Sequence, residues 1–126
     1  MKKAIVLLFS IVASFGMTAQ NIIGAYEAYS TSENGDRLRN VVILADGYQV
    51  LTVYNAETGK FIHSNGGTWK LEENTMTEKV EFHTDNNELV GTEVSFEVKI
   101  TDDTIQIVGN EMILTKIDDG TPGKLQ

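Results

Sequence analysis

Residues 58–85 read TGKFIHSNGGTWKLEENTMTEKVEFHTD and contain two strand-like segments separated by the polar pair Glu73-Asn74. If that pair is a two-residue turn, residues 60–72 and 75–84 form an antiparallel hairpin. One face of the hairpin then carries Trp69, Leu71, Met76, Glu78, Val80 and Phe82. Because this face is the more apolar of the two, we predict that it faces the interior, with Glu78 as a single inward acid.

The adjacent glycines Gly66 and Gly67 interrupt the first of these strands. Glycine inside a strand marks a bulge or a barrel corner, because the missing Cβ allows the chain to bend, and we interpret the pair as such a corner. An unbroken register places His63 inside and His83 outside, whereas a one-residue bulge at the glycines brings both histidines together on the outer face. Zinc sites need three or four ligands, and Glu81 is the one further candidate nearby, so we predict no metal site.

Alternating apolar and polar residues in the segment 92–100, TEVSFEVKI, are typical of a strand with one buried and one solvent-exposed face. Similar segments recur along the chain and are separated by short turns rich in Gly, Asn and Asp. We place strands near residues 22–30, 37–45, 48–55, 60–72, 75–84, 91–101, 104–108 and 111–118. Because the connections are short, strands that are neighbours in sequence must pair antiparallel. The sequence therefore predicts an all-β fold, an eight-stranded antiparallel up-and-down β-barrel.

The segment MKKAIVLLFSIVASFGMTAQ, residues 1–20, has the three-part pattern of a secretory signal peptide: lysines, a hydrophobic run, and small or polar residues. The run is shorter than the ~20 apolar residues of a spanning helix, so we expect cleavage near Ala19 or Gln20 and no membrane anchor. The chain has no cysteine, which excludes a lipoprotein anchored through an N-terminal cysteine. We expect residues 21–118 to form the barrel domain of a periplasmic or secreted protein, and residues 119–126 to form a flexible tail.

Acidic residues dominate the charge of the chain, with 18 Asp and Glu against 10 Lys and Arg and a formal net charge of −8. Removal of Lys2 and Lys3 with the signal peptide leaves 8 basic against 18 acidic residues, a formal charge of −10. Such a surface repels phosphate groups, so we expect neither nucleic acid nor a membrane surface as a partner. No motif in the chain indicates a cofactor.

The first three predicted strands carry a possible anchor for a ligand. With Asp46-Gly47 as a two-residue turn, Arg39 pairs with Tyr54, and the simplest register of the first hairpin pairs Tyr26 with Val41. One face then carries Tyr26, Arg39, Val41, Ile43, Tyr48, Val50, Thr52 and Tyr54. Because this face carries three of the four tyrosines and leaves Glu27, Asn40 and Gln49 on the opposite face, in water, we predict that it faces the interior.

An arginine flanked by tyrosine hydroxyls on an apolar wall would hold one carboxylate or similar anion, with a hydrocarbon tail filling the remaining space. Alternatively, Arg39 extends to water and the tyrosines simply pack. The predicted ligand-binding residues include aromatic side chains from later strands and are Tyr26, Arg39, Tyr48, Tyr54, Trp69, Phe82 and Phe96.

The opening segment IIGAYEAY, with Gly24-Ala25-Tyr26, resembles the Gly-X-Trp start of lipocalin and other calycin barrels, with tyrosine in the position of tryptophan. The segments GKFIHSNGGTW and TMTEKVEFHT, followed by Gly91-Thr92, resemble a group of small secreted lipocalin-like proteins of Gram-negative bacteria whose function is uncharacterised. The resemblance covers roughly residues 22–118 and implies a calycin-type barrel that, by analogy, binds a small hydrophobic molecule. The chain departs from lipocalins in having Thr84-Asp85-Asn86 in place of Thr-Asp-Tyr.

Three functions fit these patterns. The first is an exported protein that binds a small, partly hydrophobic ligand inside the barrel, and the second is a protein-interaction or inhibitor-like module with a packed barrel and no ligand. The third is an enzyme, a barrel isomerase or hydrolase with Glu78 as a buried base, which we do not expect because a lone inward acid has no catalytic partner. A cavity of ~300 Å³ or more would favour ligand binding, and a packed interior with an apolar outer patch would favour the interaction module.

Overall fold

A computed structural model describes residues 22–117, which form a closed antiparallel barrel of eight strands in chain order. The strands are β1 Gly24–Thr31, β2 Arg37–Ala45, β3 Tyr48–Asn55, β4 Phe61–Glu72, β5 Thr75–His83, β6 Glu93–Ile100, β7 Thr104–Ile107 and β8 Ile113–Lys116. Pairing of β8 with β1 closes the ring. The predicted all-β, eight-stranded up-and-down barrel is therefore confirmed. The predicted signal peptide, 1–20, and the predicted tail, 119–126, lie outside the described residues.

Two of the tight turns have the length that the sequence predicts. Ala45 pairs with Tyr48 across Asp46-Gly47, and Gly47 has a φ of 79°, in the left-handed region that such turns require. Glu72 pairs with Thr75 across Glu73-Asn74, where Glu73 adopts a φ of 57°. These turns set the registers of the β2–β3 and β4–β5 hairpins at their closed ends.

The predicted register of the first hairpin is wrong by one residue. Tyr26 pairs with Val42 and not with Val41, because Thr31 pairs with Arg37 and leaves a five-residue loop. Within this loop, the Ser32 backbone N–H donates to the Asp36 carbonyl oxygen at 2.9 Å, and the Asp36 N–H donates to the Ser32 hydroxyl at 3.1 Å. Since side chains alternate along a strand, the shift moves Tyr26 onto the same face as Val42.

The inward faces of β2 and β3 are the opposite of those predicted. The barrel interior receives Asn40, Val42, Leu44, Gln49, Leu51 and Val53, whereas Arg39, Val41, Ile43, Tyr48, Val50, Thr52 and Tyr54 face outward. The physical reason is the cost of burying charge, which is much greater for a guanidinium group than for the neutral amides of Asn40 and Gln49. Asn40 donates through its amide nitrogen to the Ala28 carbonyl oxygen at 3.2 Å and to the Ser30 hydroxyl at 3.0 Å.

The glycine pair lies opposite a β-bulge. Gly66 pairs with Phe82 and Gly67 with Val80, so Glu81 of β5 is the extra residue, and the bulge is on the strand facing the glycines. A Cβ on Gly67 would collide with the Lys79 carbonyl oxygen, which the bulge pushes toward it. The bulge also reverses the alternation along β5, so Phe82, predicted to face inward, lies on the outer face instead.

The core fills one end of the barrel. Its buried side chains come from six strands and from the residue preceding β1 by two positions: Ile22, Tyr26, Leu44, Trp69, Met76, Val98 and Ile105. The Trp69 indole N–H is shared between the carbonyl oxygens of Ala45 and Tyr48, each at 2.9 Å. Because these carbonyls flank the β2–β3 turn, the tryptophan ties that turn to β4.

Candidate functional site

A cavity of about 320 Å³ occupies the barrel interior. Leu44, Met76, Val98 and Ile105 belong both to the core and to the cavity wall, so the cavity lies directly against the packed end. The rest of the wall is also mostly apolar and includes Val42, Leu51, Phe96, Ile107, Met112 and Leu114. A mostly apolar cavity of this size with few polar groups is typical of a site for a small molecule.

Three neutral amides give the cavity wall polar positions. Gln49 of β3 is only 4% exposed, and Asn40 of β2 is held by its two hydrogen bonds to β1. Asn65 of β4 also lines the cavity and donates through its amide nitrogen to His63 Nε2 at 2.7 Å. Asn40 thus commits both amide hydrogens to β1 and keeps its carbonyl oxygen as an acceptor, whereas Asn65 commits one amide hydrogen to His63.

Among residues 22–117, Glu78 of β5 is the only ionisable residue that lines the cavity. Its cross-strand neighbours are Trp69 on β4 and Val94 on β6, neither of which carries a charge. Neither an ion pair nor a hydrogen bond compensates its carboxyl group among the described residues, and burial therefore raises its pKa above the ordinary value of 4.5. No second ionisable residue joins Glu78 among the described residues that line this cavity.

A polar cluster connects the cavity wall to the β5–β6 connection. His83 pairs with Asn65, and the rings of His63 and His83 lie 4.6 Å apart between centroids. With Asn65 donating to Nε2, His63 carries its proton on Nδ1 and donates it to an Asp85 carboxylate oxygen at 2.9 Å. The histidines therefore meet as the bulge hypothesis expected, but on the face of the sheet shared with Asn65 and not on the outer face.

Glu81, the further ligand considered for a metal, accepts a hydrogen bond from the Tyr48 hydroxyl on the outer face. This contact raises the pKa of Tyr48 above its usual range. In the part of the chain that the structure describes, no three His, Asp or Glu side chains are grouped so that they could hold a metal ion.

The predicted anion anchor forms a network on the outside of the barrel. Arg39 donates to Glu27 from both Nε and Nη2, each at 2.8 Å from Oε1, and from Nη1 to the Tyr54 hydroxyl at 2.7 Å. The Tyr54 contact is the main reason that the pKa of Arg39 is raised. The guanidinium group lies outside the cavity and already has a carboxylate partner. The prediction that Arg39 lies on the inner wall is therefore wrong.

The other predicted ligand-binding residues divide between three locations. Phe96 lines the cavity. Tyr26 and Trp69 are buried in the core, 2% and 5% exposed, and the Tyr26 hydroxyl donates to the Ile22 carbonyl oxygen at 2.9 Å. Tyr48 and Phe82 lie on the outer face. Of the predicted set, the structure thus brings one residue to the cavity and does not gather the others around it.

The amides of the cavity wall are the residues that sequence reasoning missed. Asn40 and Gln49 alternate with outward residues on β2 and β3. A prediction of which face of these strands is inward therefore also predicts where both amides lie. The signal that could have found them is the presence of Glu27 and Arg39 on neighbouring strands, where they form a diagonal ion pair, since an acid and a base close together are favourable on a solvated face.

The chain matches no protein-family model, and comparison with curated proteins and with solved structures finds no match. The closed eight-stranded barrel is compatible with a lipocalin-like fold. No helix among residues 22–117 has the length and hydrophobicity to span a bilayer.

Proposed function

We propose that the protein binds a small, predominantly apolar ligand inside the barrel. The observation that carries this proposal is the cavity of about 320 Å³, with its apolar wall and a few polar groups. The signal-peptide pattern of residues 1–20 supports a place of action outside the cytoplasm.

The test uses two variants that differ only in the face of β2 that they alter. Val42 lines the cavity, and the adjacent Val41 faces outward. We expect 1-octanol to bind the wild type in isothermal titration calorimetry. Val42→Trp fills the cavity and should weaken binding at least about tenfold, whereas Val41→Trp should change it less than about twofold.

Two results would contradict the proposal. One is 1-octanol binding that Val42→Trp leaves unchanged, which would place the binding site outside the cavity. The other is an absence of 1-octanol binding together with a ligand-free mass, in native mass spectrometry, for protein purified from its natural source.

The outer surface favours a protein-interaction module as the second candidate. Ile43 and Phe82 are 53% and 38% exposed, and they lie at the two ends of the cross-strand row Ile43–Val50–Gly66–Phe82. Exposed apolar rows of this kind are typical of binding surfaces. This function predicts that Ile43→Thr with Phe82→Thr abolishes binding of a partner identified by cross-linking, while Val42→Trp leaves that binding intact.

A further inference from the structure

We propose that the cavity selects amphiphilic ligands whose polar group is a cation, in particular a primary amine attached to a short hydrocarbon chain, over fatty acids and other anions. This inference rests on the ligand-binding function proposed above. It concerns the chemistry of the polar end of the ligand, which the apolar wall alone does not determine.

The ionisable group of the described cavity wall is an acid. Glu78 lies among apolar side chains and has no counter-cation within residues 22–117. An ionised carboxyl group in such surroundings destabilises the protein as long as no opposite charge lies beside it. An ammonium group that enters the cavity supplies the missing charge, whereas a carboxylate adds a second negative charge beside the first.

The neutral polar groups of the wall favour the same ligand. Asn40 uses its amide hydrogens on Ala28 and Ser30, and Asn65 donates to His63. Asn40 is therefore left with its carbonyl oxygen, which accepts hydrogen bonds, while Asn65 keeps one N–H and Gln49 can donate or accept. An alkylammonium group has three donors and no acceptor, while a carboxylate has acceptors only, so the amine is the complementary partner.

The outside of the molecule adds to this preference. Arg39, the cation that could have attracted a carboxylate, faces outward and is paired with Glu27. The chain as a whole carries a formal charge of −8. A negative field of this kind raises the local concentration of cations and lowers that of anions.

The volume of the cavity limits the length of the hydrocarbon chain. At about 30 Å³ for each water-sized group, 320 Å³ accommodates roughly ten non-hydrogen atoms. An eight-carbon chain with one polar atom therefore matches the cavity and suits a comparison of head groups.

The test compares octylamine, 1-octanol and octanoate, which each have eight carbons and differ in charge, by isothermal titration calorimetry of the exported protein at pH 7. We expect octylamine to bind at least about tenfold more tightly than octanoate, with 1-octanol in between. Glu78→Gln keeps the shape of the side chain and removes the charge. It should weaken octylamine at least about tenfold and reduce the preference for octylamine over octanoate.

The outcomes separate the two proposals. Octanoate binding that equals or exceeds octylamine binding in the wild type would overturn the amine preference and leave ligand binding intact. Octylamine affinity that is unchanged in Glu78→Gln would also overturn it. Failure of all three compounds to bind the wild type would overturn the ligand-binding function and the inference with it. The comparison of the three compounds on the wild type tests the amine preference even if Glu78→Gln does not fold.

Discussion

At Gly67 the β5 bulge brings the backbone of one strand so close to the next that there is no room for a side chain. The Lys79 carbonyl carbon and the Glu81 nitrogen would each lie 2.9 Å from a Cβ at this position. The neighbours are backbone atoms, which cannot rotate away as the end of a side chain can. This residue therefore has a steric role, separate from the freedom of glycine to adopt unusual backbone angles.

We expect Gly67→Ala to lower the free energy of unfolding by about 3 kcal/mol, because the added methyl group overpacks the bulge. Urea denaturation followed by tryptophan fluorescence measures the change. Gly35→Ala is the control, since its Cβ meets nothing within 4 Å and only its φ of 91° is unfavourable, at a cost of about 1 kcal/mol. Equal losses in the two variants would show that the bulge is not tightly packed.

Glu78 makes the stability of the barrel depend on pH. Its pKa is raised by burial, so the folded protein holds this proton more tightly than the unfolded chain. The contribution to stability is unaffected below the unfolded value of 4.5 and is lost as the pH rises through the folded pKa. We expect Glu78→Gln to unfold at higher temperature than the wild type at pH 7 and at nearly the same temperature at pH 4. A difference that is constant across this range would contradict the assignment.

Alternation along a strand identified Glu78 and Phe96 as inward residues, because their strands have one clearly apolar face. The same rule failed for Arg39, because both faces of β2 and β3 carry valine, leucine or isoleucine. What decides between such faces is the small set of polar side chains. A guanidinium group requires a charged partner or water, and a neutral amide requires only two or three hydrogen bonds.

Among the elements, the short strands β7 and β8 complete a ring whose other strands are longer. Each has four residues, and β8 pairs with β1 through Tyr26–Lys116 and Glu27–Thr115. Few paired residues mean that little has to break for this part of the barrel to open. The β1–β8 seam is therefore the expected site of local opening.

Hydrogen exchange tests this expectation. The Ile117 amide donates across the seam to the Ala25 carbonyl oxygen at 2.9 Å, and on the other side of β8 the Lys116 amide donates to the Asp103 carbonyl oxygen at 2.7 Å. We expect both amides to exchange at least about tenfold faster than amides in the middle of β3 and β4. Equal protection in the two regions would mean that the barrel opens only as a whole.

The registers of the elements were predictable where a tight turn fixes them. Asp46-Gly47 and Glu73-Asn74 each leave two residues between paired strands, and both registers follow from that length. The loop after β1 has five residues held by Ser32 and Asp36, and nothing in its composition distinguishes that length from six. A shift of one residue there was enough to place Tyr26 with the wrong neighbours on β2.

For the molecule as a whole, closure followed from the number of strands and their short connections. The division of the interior into a packed end and a cavity could not be predicted from the sequence. It depends on how large side chains such as Trp69 and Tyr26 distribute along the barrel axis, and here both belong to the core. Alternation in the sequence indicates on which face of the sheet a side chain lies, but not its position along the barrel axis. The volume left empty depends on that position.

The seam between β1 and β8 has a further consequence for the order in which the strands can be connected along the chain. Because Ile117 donates to Ala25, the end of the last strand lies beside the start of the first, so a short glycine linker can join them. The chain can then be cut open at the exposed Asn34-Gly35 turn. Such a circular permutant keeps every strand pair of the ring, and we expect it to fold and to bind 1-octanol as the parent does. The neighbours of a strand, and not its place in the order of synthesis, then define this barrel.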